Sequence, residues 1–381
     1  MKEEIDPYEL LRRVLDLWPI RAPKSKEIIT TLQEIYTTEE AKLLSLFKSP
    51  FTDRISPKEL SDRREVPEER VNEILNSLAE RGLVFRLGKS KKRAKYAVWP
   101  FVLGLYEVFF SNIKIWPKEK QKSVAENFEN YYDRYFLSVA GASSYPFSRV
   151  LPSNTAEKIL QIDKEVEGAT QRVLAIEEIE SLLDQYVSYG VMPCSCQVEH
   201  DILGDSCDKP KETCLTFDII AEFMIDVGIA RRLSKEEAIR LLKKYEKSGL
   251  VHMTLNTQVP NFICNCCRDC CAILKSISKF HRPRMFASSN FRAIIDHDVD
   301  CHECYKCFEV CPTRAIFPKI ELNKQSQFEI NQDLCIGCGL CSSNCLIKKI
   351  KLSKIKHEIP EKTTPDAYIK YARERFSYKL N

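Results

Sequence analysis

Eight cysteines carry the clearest chemistry in this chain: Cys301, Cys304, Cys307 and Cys311, then Cys335, Cys338, Cys341 and Cys345, each set written C-x2-C-x2-C-x3-C. A 4Fe-4S cube needs four thiolates around one small volume. Three cysteines spaced three apart wrap three of its corners, so the fourth must come from elsewhere. A zinc site would need only C-x2-C pairs, and a third and fourth cysteine at these offsets, twice, argue against zinc.

The elements around the runs agree with that chemistry. Phe291, Ala293, Ile294 and Ile295 precede the first run and Phe328 and Ile330 the second, as short apolar strands, while Ala315-Ile316-Phe317 and Ile347 follow. Residues 288 to 352 resemble the bacterial two-cluster ferredoxins. In that family the fourth cysteine of each run ligates the other run's cluster. The resemblance therefore implies one cube on Cys301, Cys304, Cys307 and Cys345, and a second on Cys335, Cys338, Cys341 and Cys311. Pro312 follows Cys311 as the pattern asks, but Leu346 stands where a second proline is usual, which bears on loop geometry more than on ligation.

Nine further cysteines form a second field: Cys194, Cys196, Cys207 and Cys214, then Cys264, Cys266, Cys267, Cys270 and Cys271. Two apolar helices are expected between the groups, over Leu215 to Val227 and Ser234 to Lys247, the latter opened by a capping box, Ser234 to Glu237. Their folding back would bring Pro193-Cys194-Ser195-Cys196 to Cys264-Asn265-Cys266-Cys267. Adjacent cysteines on extended chain point to opposite sides, so Cys266 and Cys267 either serve two centres or leave one thiol free. Cysteine-dense, histidine-poor surroundings favour a further iron-sulfur cluster, with all-cysteine zinc as the alternative. His252, His281, His297 and His302 are scattered and read as surface or satisfied polar residues, with His302 placed to tune a cluster beside Cys301.

Upstream, Tyr8, Leu10, Leu11, Val14, Leu15 and Trp18 recur at helical spacing and Ile28 to Phe47 behaves alike. A helix from Pro57, a second carrying Val71, Ile74, Leu75 and Leu78 up to Gly82, and two strands over residues 83–87 and 96–99 follow. This part, about residues 52–100, resembles a winged helix. Its wing offers Lys89, Lys91, Lys92, Arg93 and Lys95 to phosphates, yet Glu68, Glu69, Glu73 and Glu80 make the second helix a poor face for a polyanion. A scaffold or docking role is the favoured reading, and DNA the less favoured partner. The aromatic stripe Phe128, Tyr131, Tyr132, Tyr135 and Phe136 reads as core.

With 381 residues, several domains are available. A net charge of +4 from 58 basic and 54 acidic residues proposes no polyanionic partner. Seventeen cysteines, clustered and odd in number, do not form a disulfide framework and predict a reduced, cytoplasmic chain. No signal region or membrane span is expected; the longest apolar stretch, Ala97 to Phe110, holds Pro100 and Glu107.

The expected fold is multidomain and mainly α. It comprises a helical region with a winged-helix-like domain (1–110), a mainly helical cysteine-rich domain (111–287), an α+β two-cluster ferredoxin-like domain (288–352) and a C-terminal helical tail (353–381). The order Pro193 to Cys196, Cys207 to Leu215, Gly249 to His252, Ile263 to Cys267 and a terminal ferredoxin also resembles a family of largely uncharacterised archaeal and bacterial 4Fe-4S proteins. That resemblance implies redox work without a defined substrate. An iron-sulfur electron-transfer protein with two 4Fe-4S clusters and a further metal centre, passing electrons to or within a redox complex, is the leading expectation. The alternatives are a redox-sensing regulator acting through the winged helix, or an oxidoreductase with substrate at the extra cluster. No G-x-G-x-x-G, phosphate-loop or nucleophile-elbow motif competes.

Overall fold

Capping residues set the N-terminal helices of the computed structural model. It describes residues 5–64, 66–88, 93–140, 143–153, 177–280, 286–301, 304–319 and 327–377. Asp6 accepts from the Tyr8 N–H to open Pro7–Leu15, Ser25 opens Lys26–Ile35, and capping boxes Thr37/Glu40 and Ser56/Glu59 open Thr38–Leu44 and Pro57–Asp62. Glu68–Glu80 follows, with Val71, Ile74, Leu75 and Leu78 buried. An antiparallel hairpin of β1 (Phe85–Leu87) and β2 (Lys95–Ala97) completes the segment, with Phe85 opposite Ala97. Lys89, Lys91 and Lys92 of the expected wing, His281 and His302 lie outside the described residues.

The chain divides into two units. The first comprises Met1–Ala140, Gly190–Ser206 and Ile219–Arg232. Its interior is aromatic: Phe101, Tyr106, Phe110, Phe128 and Tyr131 are essentially buried, and the Phe101 and Phe128 rings stack at 4.9 Å. The aromatic stripe is core, as its spacing implies.

The second unit comprises Gly141–Tyr189, Cys207–Asp218 and Leu233–Asn381. The mainly helical expectation fails in the middle of the chain. There β3 (Ser148–Leu151), β4 (Tyr189–Pro193), β5 (Glu212–Phe217), β6 (Arg231–Leu233), β7 (Val251–Leu255), β8 (Phe262–Cys266) and β9 (Ala287–Ser288) form a seven-stranded mixed sheet in the order β6-β4-β5-β8-β7-β3-β9. With 46% helix and 17% strand among the described residues the protein is α+β. The cause is visible in β7, which is buried at all five positions. A strand covered on both faces shows no alternation, and a short apolar run of this kind cannot be told from a buried helix by periodicity. Leu215, expected to begin a helix, lies instead on β5, and the helix that follows is Asp218–Asp226.

The C-terminal part of this unit is a repeat: strand, cysteine run with a short helix, strand. β10 (Phe291–Ile295) precedes the first run and β11 (Ile316–Lys319) follows it; β12 (Gln327–Ile330) and β13 (Ile350–Lys354) flank the second. β10 pairs with β13 and β11 with β12, both antiparallel. Hydrogen bonds tie the repeat to the rest of its unit, among them Ser153 N–H to the Cys338 carbonyl at 2.9 Å. The helix Thr364–Ser377 ends the described chain and buries Tyr371, whose carbonyl accepts from Ser143 Oγ at 3.0 Å.

Candidate metal centres

Strand pairing decides which cysteines meet. β10 leads into Cys301 and β13 leaves from Cys345, so the register Ile295 opposite Ile350 draws the end of the second run to the start of the first. β11 leaves Cys311 and β12 leads into Cys335, and Ile316 opposite Ile330 draws the end of the first run to the start of the second. Two cavities result. One, of about 110 Å³, is lined by Cys301, Cys304, Cys307 and Cys345 with Tyr305, Phe328 and Ile350. The other is lined by Cys311, Cys335, Cys338 and Cys341 with Ala293, Ile316 and Ile330.

The two differ in exposure. Cys311, Cys335, Cys338 and Cys341 are buried, whereas Cys304 is exposed and Cys301, Cys307 and Cys345 are half-buried. Backbone N–H groups reach the buried sulfurs, Ala293 to Cys335 Sγ at 3.4 Å and Ala315 to Cys311 Sγ at 3.2 Å. Burial pushes the thiols of Cys335, Cys338 and Cys341 up, and that of Cys307 to about 11. An apolar cradle of thiols with N–H donors aimed at sulfur suits a bound iron-sulfur cube, whose iron takes the place of the protons.

Gly337 and Gly339 make the second cavity sterically feasible. At φ +66, a Cβ on Gly337 would lie 2.2 Å from the Phe291 carbonyl oxygen, so β10 passes where a side chain would stand. Leu346, where a proline was expected, is 79% exposed. It lines the rim of the first cavity, where nothing requires proline's rigidity.

The second cysteine field separates by position. Cys194 and Cys196 belong to the first unit and the other seven to the second. Along β8, Cys264 and Cys266 share one face, and Cys264 is the register partner of Cys214 on β5. The Cys264 and Cys271 thiols beside Cys266, with its burial, push its thiol up. Cys267 turns to other partners: Cys207 Sγ lies 3.6 Å from Cys267 Sγ, and the Cys270 N–H donates to Cys267 Sγ at 3.3 Å. The sulfurs of Cys207, Cys267 and Cys270 all lie within 4.8 Å of one another. The Cys270 thiol beside it lowers Cys267 to about 6, against its burial, while Cys270 is raised. Cys266 and Cys267 thus face different thiol groups, as alternation along extended chain requires.

His252, read as a surface or satisfied polar residue, is fully buried with a polar partner: its Nδ1 lies 2.6 Å from Asn265 Oδ1, while Asn265 Nδ2 donates to the Thr213 carbonyl at 2.6 Å. A further cluster escaped sequence reasoning. In the first unit, Glu129, Glu199 and His200 bring their ligand atoms within 4.8 Å of one another. Tyr106 donates to Glu199 Oε2 at 2.5 Å and Asp205 faces His200 Nδ1 at 2.7 Å. The Glu-His-Asp run shortly after Cys196 was the available signal.

Residues 300–348 match the 4Fe-4S dicluster domain family. Over 66 residues the chain is 33% identical to pyruvate synthase subunit PorD of Methanothermobacter marburgensis, covering 17% of this chain and 70% of PorD. It is 31% identical over 93 residues to hydrogenase-4 component A of Escherichia coli, covering 24% of this chain and 42% of that protein. With the ferredoxin-type protein NapF of Haemophilus influenzae the identity is 36% over 67 residues, 16% of this chain and 38% of NapF. The match thus spans less than half the length of the last two. No solved structure matches the chain.

Proposed function

Because the chain belongs, through residues 300–348, to the ferredoxin-type 4Fe-4S dicluster proteins, we propose that it is a two-cluster electron carrier in which each run of cysteines completes the other's site. Cys301, Cys304, Cys307 and Cys345 hold one cube; Cys335, Cys338, Cys341 and Cys311 hold the other. The observation that carries this is the pair of cavities, each lined by three cysteines of one run and the fourth of the other. Each bound cube supplies one-electron transfer.

What the chain's own residues do follows from exposure. The Cys311 site is shielded from water and receives N–H bonds at sulfur, two of the levers that set a cluster's potential. The Cys301 site reaches the surface at Cys304 and is flanked by exposed Tyr305, Phe308 and Leu346. Electrons enter and leave there, at a surface apolar enough for a redox protein to dock. PorD and hydrogenase-4 component A are named as parts of larger enzymes, and a redox enzyme is the partner we assign to this chain. Among the described residues no helix is long and apolar enough to cross a membrane.

The N-terminal helices and hairpin serve docking rather than DNA recognition. On the helix Glu68–Glu80, Arg70 pairs with Glu39 and Glu73, and at its C-cap Arg81 pairs with Glu40, so these cations are already engaged.

Cysteine-to-serine substitution in the full chain tests the ligand assignment. Cys345→Ser is expected to remove the same paramagnetic signal as Cys301→Ser, and Cys311→Ser the same as Cys335→Ser, each with loss of about half of the roughly eight cluster irons. Loss of the Cys335 signal in Cys345→Ser would refute the crossed arrangement.

A further inference from the structure

The second cysteine field contains a thiol group whose dimensions differ from those of a cube. In a tetrahedral site with metal–sulfur bonds of about 2.3 Å, neighbouring sulfurs stand ~3.8 Å apart. Around a 4Fe-4S cube each thiolate sits outward on its own iron, and neighbouring sulfurs stand roughly 6 Å apart. Cys207 and Cys267 are 3.6 Å apart, and Cys270 completes a trio within 4.8 Å. Among the described residues, none of the eight ferredoxin-run cysteines joins so tight a group.

Local chemistry agrees with a single ion. Cys267-Arg268-Asp269-Cys270 is a C-x2-C turn, the pair that mononuclear thiolate sites use. Its internal Cys270 N–H to Cys267 Sγ bond holds one ligand in place. Three thiolates around a divalent ion leave one excess negative charge. Within the turn Arg268 pairs with Asp269 at 3.5 Å, so the neighbouring positive charge comes from Lys211, four residues from Cys207, which donates to the Cys207 carbonyl at 3.2 Å. Arg268 also donates to the Glu309 carbonyl at 3.1 Å, so the turn is braced against the helix Lys306–Glu309 that carries Cys307.

We infer that Cys207, Cys267 and Cys270 bind one mononuclear thiophilic ion, zinc or iron without sulfide, as a centre separate from the two cubes. Cys264, Cys266 and Cys271 stand outside it, on the other thiol group. The inference does not depend on the two-cube reading.

The test is metal and acid-labile sulfide per chain on the full-length protein purified anaerobically, with Cys267→Ser and Cys264→Ser beside it. Expected is about one zinc or one iron above the iron that matches the sulfide, lost in Cys267→Ser and kept in Cys264→Ser. A zinc or an iron excess identifies the ion. Extra iron accompanied by equal extra sulfide, no excess metal at all, or loss in Cys264→Ser as well would overturn the assignment. Should Cys267→Ser fail to fold, cobalt(II) loaded into the wild-type chain gives the same answer. One equivalent with strong thiolate-to-metal charge-transfer absorption supports the site, and its lack overturns it. Failure of the two-cube reading would appear separately, as an iron-to-sulfide total other than that of two cubes in every variant.

Discussion

Gly337→Ala should remove the buried cluster, and the structure supplies the size of the effect. At φ +66 an alanine occupies the left-handed region at a cost of about 1–2 kcal/mol. Gly249, also in the second unit at φ +78 but with nothing within 4 Å of where a Cβ would stand, carries that cost alone. At Gly337 the added Cβ also meets the Phe291 carbonyl oxygen at 2.2 Å and Ser289 Oγ at 2.6 Å. The serine can rotate, but the carbonyl belongs to β10, which is held in register by β13. Relief therefore requires backbone movement at the turn joining Cys335 to Cys338, and overpacking of this kind adds a further 1–3 kcal/mol, roughly. The total for Gly337→Ala is thus about 2–5 kcal/mol against about 1–2 for Gly249→Ala. At roughly 2–4 °C per kcal/mol for a unit of this size, thermal unfolding separates the two variants. Iron analysis separates them further: Gly249→Ala keeps both clusters, whereas Gly337→Ala loses about four irons and the signal of the Cys335 site. A Gly337→Ala protein with full iron and the melting temperature of Gly249→Ala would refute the steric argument.

Two further outcomes follow from buried charge. His252 is held near pKa 4 by burial, against a usual 6.5 and despite its bond to Asn265, so the fold requires the neutral ring. Between pH 6.5 and 4 the unfolded chain binds a proton that the native state refuses; the contribution is fully present above 6.5 and declines by up to about 3 kcal/mol as pH falls through about 4. Denaturant titrations across this window should show the slope in the wild type and a flatter one in His252→Gln; equal slopes would contradict it. Lys354 and Glu177 form a buried pair at 3.0 Å, and Asn290 donates to the same carboxylate at 2.5 Å. Lys354→Met should cost about 3–5 kcal/mol by stranding the carboxylate, and Glu177→Gln/Lys354→Met should recover much of it. A double variant no more stable than Lys354→Met would show that the pair's charge is not the cause.

The legibility of the sequence varied along the chain for physical reasons. The helix start at Ser234 was readable because its cap is a local interaction between residues three apart, whereas Ile28 to Phe47, read as one stretch, divides into Lys26–Ile35 and Thr38–Leu44 at the Thr37 cap. The central sheet was not, because β7 is buried at every position and β5 at all but its first, so neither shows the alternation that marks a half-buried strand. The sequence left His252 open between a surface and a satisfied polar residue, because burial depends on neighbours such as Asn265 that only the fold brings close.

The cysteine runs by themselves pointed to 4Fe-4S binding over residues 301–345, since thiolates three apart wrap one cluster and chemistry of that kind is encoded in spacing, and the resemblance to two-cluster ferredoxins already implied Cys345 with Cys301 and Cys311 with Cys335. Tertiary structure alone decided the rest. Burial leaves one site at the surface and one inside, and the turn after β8 gathers Cys207, Cys267 and Cys270 while leaving Cys266 to other partners. These are contacts between residues remote in the chain, and spacing does not record which remote segments pack together.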